Sequence, residues 1–346
     1  MRHAPLAAVL FALVAFAPRA HAEDYAPAIE TLASTLEARF VDPATGRRYA
    51  RMLRENVAAG SYAGIADKRA LAQRVTADLQ AVAADGHLRV DLAPEPGMVR
   101  GPLPADAKGA KPAPGGPRVS SLANVDLPSV AEPKWIADGV AYLRFNQFAG
   151  EPASLAAIAA FVKDYASAKA VIIDTRALAR GGGLAEMDAL FPYLFGQETV
   201  LVAMAVAMPD DARDGPALLD TPTLRTVQGT PGLLVREHVA IPAADGATLA
   251  KAKVFFLTSP RTRSAGEHFA LALKRTHRAT LIGEHTAGAN HFGGIEPIGA
   301  GLAAFIPVGR TYDPDTGKDW EGTGILPDID VPADQALDRA LELAKR

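Results

Sequence analysis

Apolar residues recur at helical spacing along the first quarter of the chain. They are Leu32, Leu36 and Phe40, then Met52, Leu53 and Val57, and then Leu71, Val75, Leu79 and Val82. Residues three or four positions apart share one face of an α-helix, so each group forms a stripe that can be buried. The pattern predicts a small N-terminal helical domain over residues 23–92, in which these stripes pack against one another.

The spacing of apolar residues changes beyond residue 136. The predicted strands are Gly139 to Phe145, Ala170 to Ile173, Val254 to Thr258 and Ala279 to Ile282, and the predicted helices are Leu155 to Tyr165, Ala265 to Arg275 and Asp334 to Ala344. Alternation of strand and helix is typical of an α/β domain with a largely parallel sheet. We predict such a domain over residues 136–346, although residues 209–247 follow no regular pattern. Residues 93–135 are predicted to be a linker, because Pro94 to Pro117 is rich in Pro, Gly and Ala.

The first 22 residues have the features of a signal peptide. Arg2 gives a basic start, Pro5 to Pro18 is an apolar run, and Ala20-His21-Ala22 fits the small-x-small pattern of a cleavage site. The apolar run is too short for a comfortable membrane span. We therefore predict cleavage after Ala22, a periplasmic or secreted protein, and no stable membrane insertion.

Composition and charge exclude several classes of function. Hydrophobic residues make up 49% of the chain and charged residues 22%, which favours a sizeable core over disorder. The formal net charge is -3, and removal of Arg2 and Arg19 with the signal peptide makes it -5. A nucleic-acid partner is therefore not expected, because the basic surface that such binding requires is missing. The chain has no cysteine, which excludes thiol nucleophiles, thiolate metal sites and redox dithiols.

Ser264 lies between a predicted strand and a predicted helix. One interpretation is structural, since serine is a common N-cap whose oxygen accepts an unpaired backbone amide. The other is catalytic, because a serine at a sharp strand-to-helix turn stands beside amides that can stabilise an oxyanion, with help from the helix dipole. The segment from Arg180 to Gly183 has the same ambiguity: its glycines can form a simple turn or bring a second amide to an oxyanion. It lacks the features of a phosphate-binding or dinucleotide-binding loop.

A nucleophilic serine needs a base, and the base needs a carboxylate that orients it. His87 lies at the corner where the helical region ends, where a histidine is either structural or catalytic. His268 follows on the helix of Ser264 with its side chain expected to point elsewhere, and His285 and His291 are further candidates. The histidines and acidic residues show no metal-site spacing, so no metal is predicted. Glu321, set among glycines, is either the orienting carboxylate or a solvated loop residue.

Four blocks of sequence, taken in order, carry a family resemblance. They are Asp85 to Leu88, Val171 to Arg176 leading to Gly182-Gly183, Thr262 to Glu267 running on to Ile282 to Gly288, and Glu321 to Asp328. The set resembles the C-terminal processing (tail-specific) serine peptidases, in the branch with bacterial homologues of interphotoreceptor retinoid-binding protein and the tricorn core protease. The resemblance implies a crotonase/ClpP-like α/β core behind the helical domain.

The resemblance also implies a role for each candidate. Ser264 is the nucleophile, His87 is the general base with a pKa near neutrality, and Glu321 orients the histidine. The implied oxyanion hole consists of the amide of Ala265 and an amide of Gly182 or Gly183. The chain departs from the family in three ways: no lysine lies between Lys274 and Lys318 for a serine–lysine dyad, the asparagine common before the glycines is missing, and no room exists for an inserted PDZ domain.

The sequence thus predicts an exported serine endopeptidase that forms an acyl-enzyme, needs no cofactor and acts on a protein or peptide substrate. Two alternatives stay open. One is an esterase that uses the same three residues. The other is a non-catalytic protein on the same fold that binds an apolar, retinoid-like ligand, since a fold does not fix a function.

Overall fold

The computed structural model describes residues 24–93, 127–207, 221–229 and 232–346. The predicted signal peptide and most of the predicted linker lie outside these residues. The helices are α1 (Ala26–Arg39), α2 (Pro43–Ala58), α3 (Lys68–Val82), α4 (Pro152–Asp164), α5 (Ala185–Leu194), α6 (Ala265–Arg275) and α7 (Ala336–Ala344). The strands are β1 (Arg89–Leu92), β2 (Val130–Ala137), β3 (Val140–Phe145), β4 (Ala170–Asp174), β5 (Thr199–Ala207), β6 (Leu224–Val227), β7 (Leu233–Ala240), β8 (Lys253–Thr258), β9 (Thr280–Gly283), β10 (Phe292–Gly299), β11 (Leu302–Tyr312) and β12 (Ile329–Asp330). The molecule is a mixed α/β protein with a helical N-terminal part, as predicted.

The first sheet has the strand order β12-β9-β8-β4-β3-β2. Its neighbours pair in parallel from β12 to β3, and β2 alone is antiparallel. Helices α4, α5 and α6 cover one face through a core that includes Phe145, Ile158 and Phe269, and α7 covers the other. Parallel strands need crossover helices, which is why the alternation seen in the sequence predicts this sheet. Because parallel strands end at one edge, the segments that follow β4 and β8 lie side by side.

The second sheet is antiparallel and was not predicted. Its order is β1-β11-β5-β7-β6, with β10 also paired to β11. Strands β6 and β7 come from the region without a regular pattern. Strand β5 is buried along most of its length, so it lacks the in–out alternation that identifies a half-buried strand.

The N-terminal helices are joined to the second sheet by a shared core. Leu32, Leu53 and Leu71 pack with Ile306 and Val308 of β11. Strand β1 follows α3 and pairs with β11, so the N-terminal part contributes an edge strand to the sheet. This pairing fixes the corner between α3 and β1, where His87 lies. Within the described ranges, no helix combines the length and apolarity that crossing a bilayer requires.

Candidate active site

Ser264 is the residue on the turn between β8 and α6. Its backbone angles are φ 54° and ψ -119°, a conformation that residues other than glycine seldom adopt. Such strain costs about 1–3 kcal/mol and persists only where the surroundings impose it. The turn places Ser264 at the N-terminus of α6 with its side chain half-buried. The next amide, that of Ala265, begins the helix, where backbone N–H groups and the helix dipole favour negative charge.

The glycine loop after β4 lies directly against this serine. A Cβ atom on Gly181 would be 2.4 Å from Ser264 Cβ and 2.7 Å from Ser264 Oγ, so only glycine fits there. Gly182 pairs with Phe148 at φ 148°, and a Cβ on it would be 1.7 Å from the Phe148 carbonyl oxygen. The Gly183 N–H donates to that same oxygen at 2.8 Å, so this amide is already engaged. Of the two predicted glycine amides, the one of Gly182 is the better candidate for an oxyanion hole.

Glu267 holds the turn of Ser264 from inside the protein. Its carboxylate is fully buried and accepts hydrogen bonds from Thr286 Oγ1 at 2.6 Å and from the amides of Gly288 at 2.6 Å, Ala289 at 2.9 Å and Ser264 at 2.9 Å. Burial raises the pKa of Glu267, and these four donors oppose the rise. Sequence analysis did not single out Glu267 as a site residue. The signal was present, because Ser-x-x-Glu before an apolar helix is the spacing of a capping box.

His87 lies on the corner between α3 and β1. Its ring stacks on Phe305, with 5.3 Å between the ring centroids, and its Nδ1 is buried without a hydrogen-bond partner among the described residues. Burial lowers the pKa of His87 to about 4; the charge of Asp85 opposes this, and the charges of Arg89, His291 and Arg263 add to it. The near-neutral pKa expected from the sequence is therefore not what this environment gives. No hydrogen bond joins His87 to Ser264 within the described ranges.

Glu321 contacts the backbone beside His87 and makes no hydrogen bond to its ring. Oε1 accepts the Gly86 amide at 2.6 Å, and Oε2 accepts the amides of Asn290 at 2.7 Å and His291 at 3.0 Å. A Cβ on Gly86 would be 2.9 Å from Ala289 Cα, which shows how closely the two segments pack. Glu321 thus links the His87 corner to Asn290 and His291. Glu267 links the preceding residues of the same segment, 288 and 289, to Ser264.

His291, named only as a spare candidate, has the histidine–carboxylate contact that was expected of His87. Its Nδ1 lies 2.7 Å from Asp85 Oδ2 and 3.9 Å from Glu321 Oε2. Asp85, His291 and Glu321 have the donor types of a metal site, and one atom from each lies within 4.8 Å of the others. His291 Nδ1, Asp85 Oδ2 and Glu321 Oε2 each take part in a hydrogen bond, so the three residues form a hydrogen-bonded cluster.

Two other histidines, His238 and His268, contact each other. His268 is buried on α6 and its Nε2 lies 2.8 Å from His238 Nδ1, while His238 Nε2 lies 2.9 Å from Asp188. His268 therefore points away from Ser264, as expected. His285 is exposed.

A cavity of about 720 Å³ lies elsewhere on the molecule. Lys253, Lys274, Arg275 and Arg278 line it, at the start of β8 and the C-terminal end of α6. Ser264 is at the opposite end of both elements. The cavity is therefore not part of the candidate active site.

A serine held in a strained turn between a strand and a helix, beside a glycine loop, resembles the nucleophile turn of serine hydrolases. The comparison with protein families agrees. The model of peptidase family S41 matches residues 139–331, and the model of the N-terminal domain of Peptidase_S41 in eukaryotic IRBP matches residues 22–116. The protein is a serine-type peptidase. It belongs to peptidase family S41.

Solved structures share the fold at low sequence identity. The photosystem II D1 C-terminal processing protease is 17% identical, with a TM-score of 0.54, and the match covers 94% of this chain and 98% of that one. A protein from Parabacteroides merdae ATCC 43184, described as a candidate peptidase, is 15% identical with a TM-score of 0.57, over 92% and 96% of the two chains. A lipoprotein from Streptococcus agalactiae is 14% identical with a TM-score of 0.56, over 98% and 99%.

Proposed function

We propose that this chain is an exported serine endopeptidase of the tail-specific type, acting through an acyl-enzyme on Ser264. The observation that carries the proposal is the backbone of Ser264, held at positive φ with Gly181 against its side chain. A serine that served only as a helix cap would not need this conformation, since an ordinary N-cap residue has extended backbone angles. Export rests on the signal-peptide features of residues 1–22.

In the proposed mechanism, His87 takes the proton of Ser264 Oγ as that oxygen attacks the substrate carbonyl carbon. The amides of Ala265 and Gly182 stabilise the oxyanion that forms. Collapse of the intermediate breaks the C–N bond, His87 gives its proton to the leaving amine, and an ester remains on Ser264. Water, deprotonated by His87, then hydrolyses the ester. Glu321 positions His87 through the Gly86 amide.

The test is labelling of the purified protein with a fluorophosphonate, followed by peptide mapping of the adduct. We expect a single adduct, on Ser264, because the probe reacts with activated serines. Absence of an adduct on folded protein would favour the apolar-ligand binder, and an adduct on a different serine would contradict the site.

Comparison of matched peptide and ester substrates separates a peptidase from an esterase. The intact mass of exported protein reports its N-terminus, and a chain that retains Met1 would contradict signal cleavage.

The pH dependence of labelling reports on His87. Because burial lowers the pKa of His87 to about 4, its neutral, basic form persists well below neutral pH. We expect the labelling rate to be nearly constant from pH 7 to pH 5 and to fall by half at about pH 4, instead of at about 6.5 as for an ordinary histidine. Circular dichroism at each pH controls for unfolding. A half-fall between pH 6 and 7 would contradict the buried environment described for His87.

A further inference from the structure

We propose that His291 is a positioning residue for the general base: it holds Asp85, and Asp85 holds the backbone of His87. The inference rests on the proposed function, in which His87 takes the proton of Ser264.

The first support is the way Asp85 uses its two oxygens. Oδ1 accepts the amides of His87 and Leu88, both at 2.8 Å, and so closes the turn that carries the His87 side chain. Oδ2 is bound by His291 Nδ1 at 2.7 Å. The Asp85 side chain is 1% exposed, so water cannot replace either set of contacts without a rearrangement. The carboxylate therefore links the His87 turn to the segment that leads into β10.

The second support is that His291 and the His87 corner are also connected by hydrogen bonds through Glu321. The His291 amide donates to Glu321 Oε2 at 3.0 Å, and Glu321 Oε1 accepts the Gly86 amide at 2.6 Å. Three successive amides of the corner, Gly86 to Leu88, are thus held by two carboxylates, and both carboxylates are bound by His291. Loss of the His291 side chain therefore breaks the link between the Asp85 and Glu321 carboxylates.

The third support is electrostatic. The buried Asp85 carboxylate is costly unless a cation or strong donor faces it, and His291 is the residue that provides this. Burial lowers the pKa of His291, but its hydrogen bond to Asp85 and the charges of Asp85, Glu321 and Asp319 raise it, and the net shift is upward. Burial raises the pKa of Asp85, but its hydrogen bonds and the charge of His291 lower it, and the net shift is downward. The other ionisable groups that face the pair are His87 and Tyr49, and burial raises the pKa of Tyr49, so it stays neutral.

The raised pKa of His291 sets the pH range in which its contact with Asp85 stabilises the His87 turn. A histidine whose pKa is raised on folding contributes its stabilisation fully below its ordinary pKa, and the contribution is lost as pH rises through the raised value. The hold on the His87 turn should therefore weaken on the alkaline side. It should be intact between about pH 4, above which His87 is neutral and able to act as a base, and the ordinary histidine pKa of about 6.5.

The experiment measures fluorophosphonate labelling against pH for the wild type, His291→Ala and His291→Asn, with hydrogen exchange of the peptide spanning residues 85–90. An asparagine amide can occupy the place of Nδ1 and donate to Asp85, but it does not titrate. We expect His291→Ala to label about 10- to 100-fold more slowly, as for a displaced catalytic group. His291→Asn should recover most of that rate and should lack the alkaline fall of the wild type. The exchange of the His87 and Leu88 amides should rise in His291→Ala and stay near the wild-type level in His291→Asn.

The matched control is His285→Ala, which removes an exposed histidine six positions earlier and should change neither readout. Unchanged labelling and exchange in His291→Ala would overturn the proposal. Complete loss of labelling in both His291 variants, with the exchange unchanged, would also overturn it, because His291 would then be the base itself. An unlabelled wild type whose corner still loosens in His291→Ala would contradict the proposed function and leave the positioning role supported.

Discussion

Ser264→Ala is expected to abolish fluorophosphonate labelling and to lower peptide hydrolysis by about 10⁵- to 10⁶-fold, as loss of a nucleophile does in other serine hydrolases. The physical reason is that alanine keeps the strained turn and the oxyanion amides but has no atom that can form the acyl-enzyme. Rates are measured on the purified variant with a peptide substrate cleaved by the wild type. Ser167→Ala, which changes an exposed serine, is the control and should leave both readouts unchanged.

A second substitution at this position separates strain from chemistry. Ser264→Gly should be as inactive as Ser264→Ala, but glycine adopts φ 54° without steric cost. We expect Ser264→Gly to be more stable than Ser264→Ala by about 1 kcal/mol in urea unfolding. A glycine variant less stable than the alanine variant would argue against strain at the turn. Hydrolysis by either variant at close to the wild-type rate would exclude Ser264 as the nucleophile.

Gly181→Ala is the other change for which a large effect is expected. The added Cβ would be 2.4 Å from Ser264 Cβ, far inside van der Waals contact, so either the glycine loop or the serine must move. A displacement of about 1 Å at a catalytic group can cost about 100-fold in rate. We expect labelling at least about 100-fold slower than in the wild type, with the protein still folded, since the clash is confined to one loop. The measurement is the labelling rate at several probe concentrations.

Gly196→Ala provides the control for adding a methyl group at a glycine. A Cβ there would be 3.6 Å from Ala250 Cβ, an ordinary contact, and Gly196 has no positive φ. This variant should label at the wild-type rate. Wild-type labelling by Gly181→Ala would show that the glycine loop does not rest against the nucleophile, and the proposed oxyanion hole would have to be abandoned.

The sequence predicts the parallel sheet well and the antiparallel sheet not at all. Val254 to Thr258 and Ala265 to Arg275 match β8 and α6 closely, because a fully apolar run followed by an amphipathic helix is a local pattern. Strand β11 forms a hairpin with β10 and also pairs, over long sequence separations, with β1 and β5. Nothing local in its sequence reports such partners, and its residues are nearly all buried, so no alternation appears.

In the candidate site, too, the features set by neighbouring residues could be predicted, and those set by distant residues could not. The turn of Ser264 could be predicted, since it depends on the strand and helix on either side of it. The contacts of Glu321 could not, because its partner Gly86 is 235 positions away, and only the folded chain shows that it holds the backbone and leaves the His87 ring free. The pKa of His87 was misjudged for a related reason: its burial against Phe305 depends on the second sheet.

Strand β1 has a consequence for how the protein matures. The corner that carries His87 is fixed on one side by the pairing of β1 with β11 and on the other by Glu321, so its geometry depends on residues from Leu302 to Glu321. Contacts of such high sequence separation form late, because the intervening chain must first be ordered. In the proposed mechanism, a chain that lacks these residues has Ser264 but no positioned base. Hydrolytic activity would then begin only with the completed fold, and the peptidase would not cut its own chain while that chain is still extended.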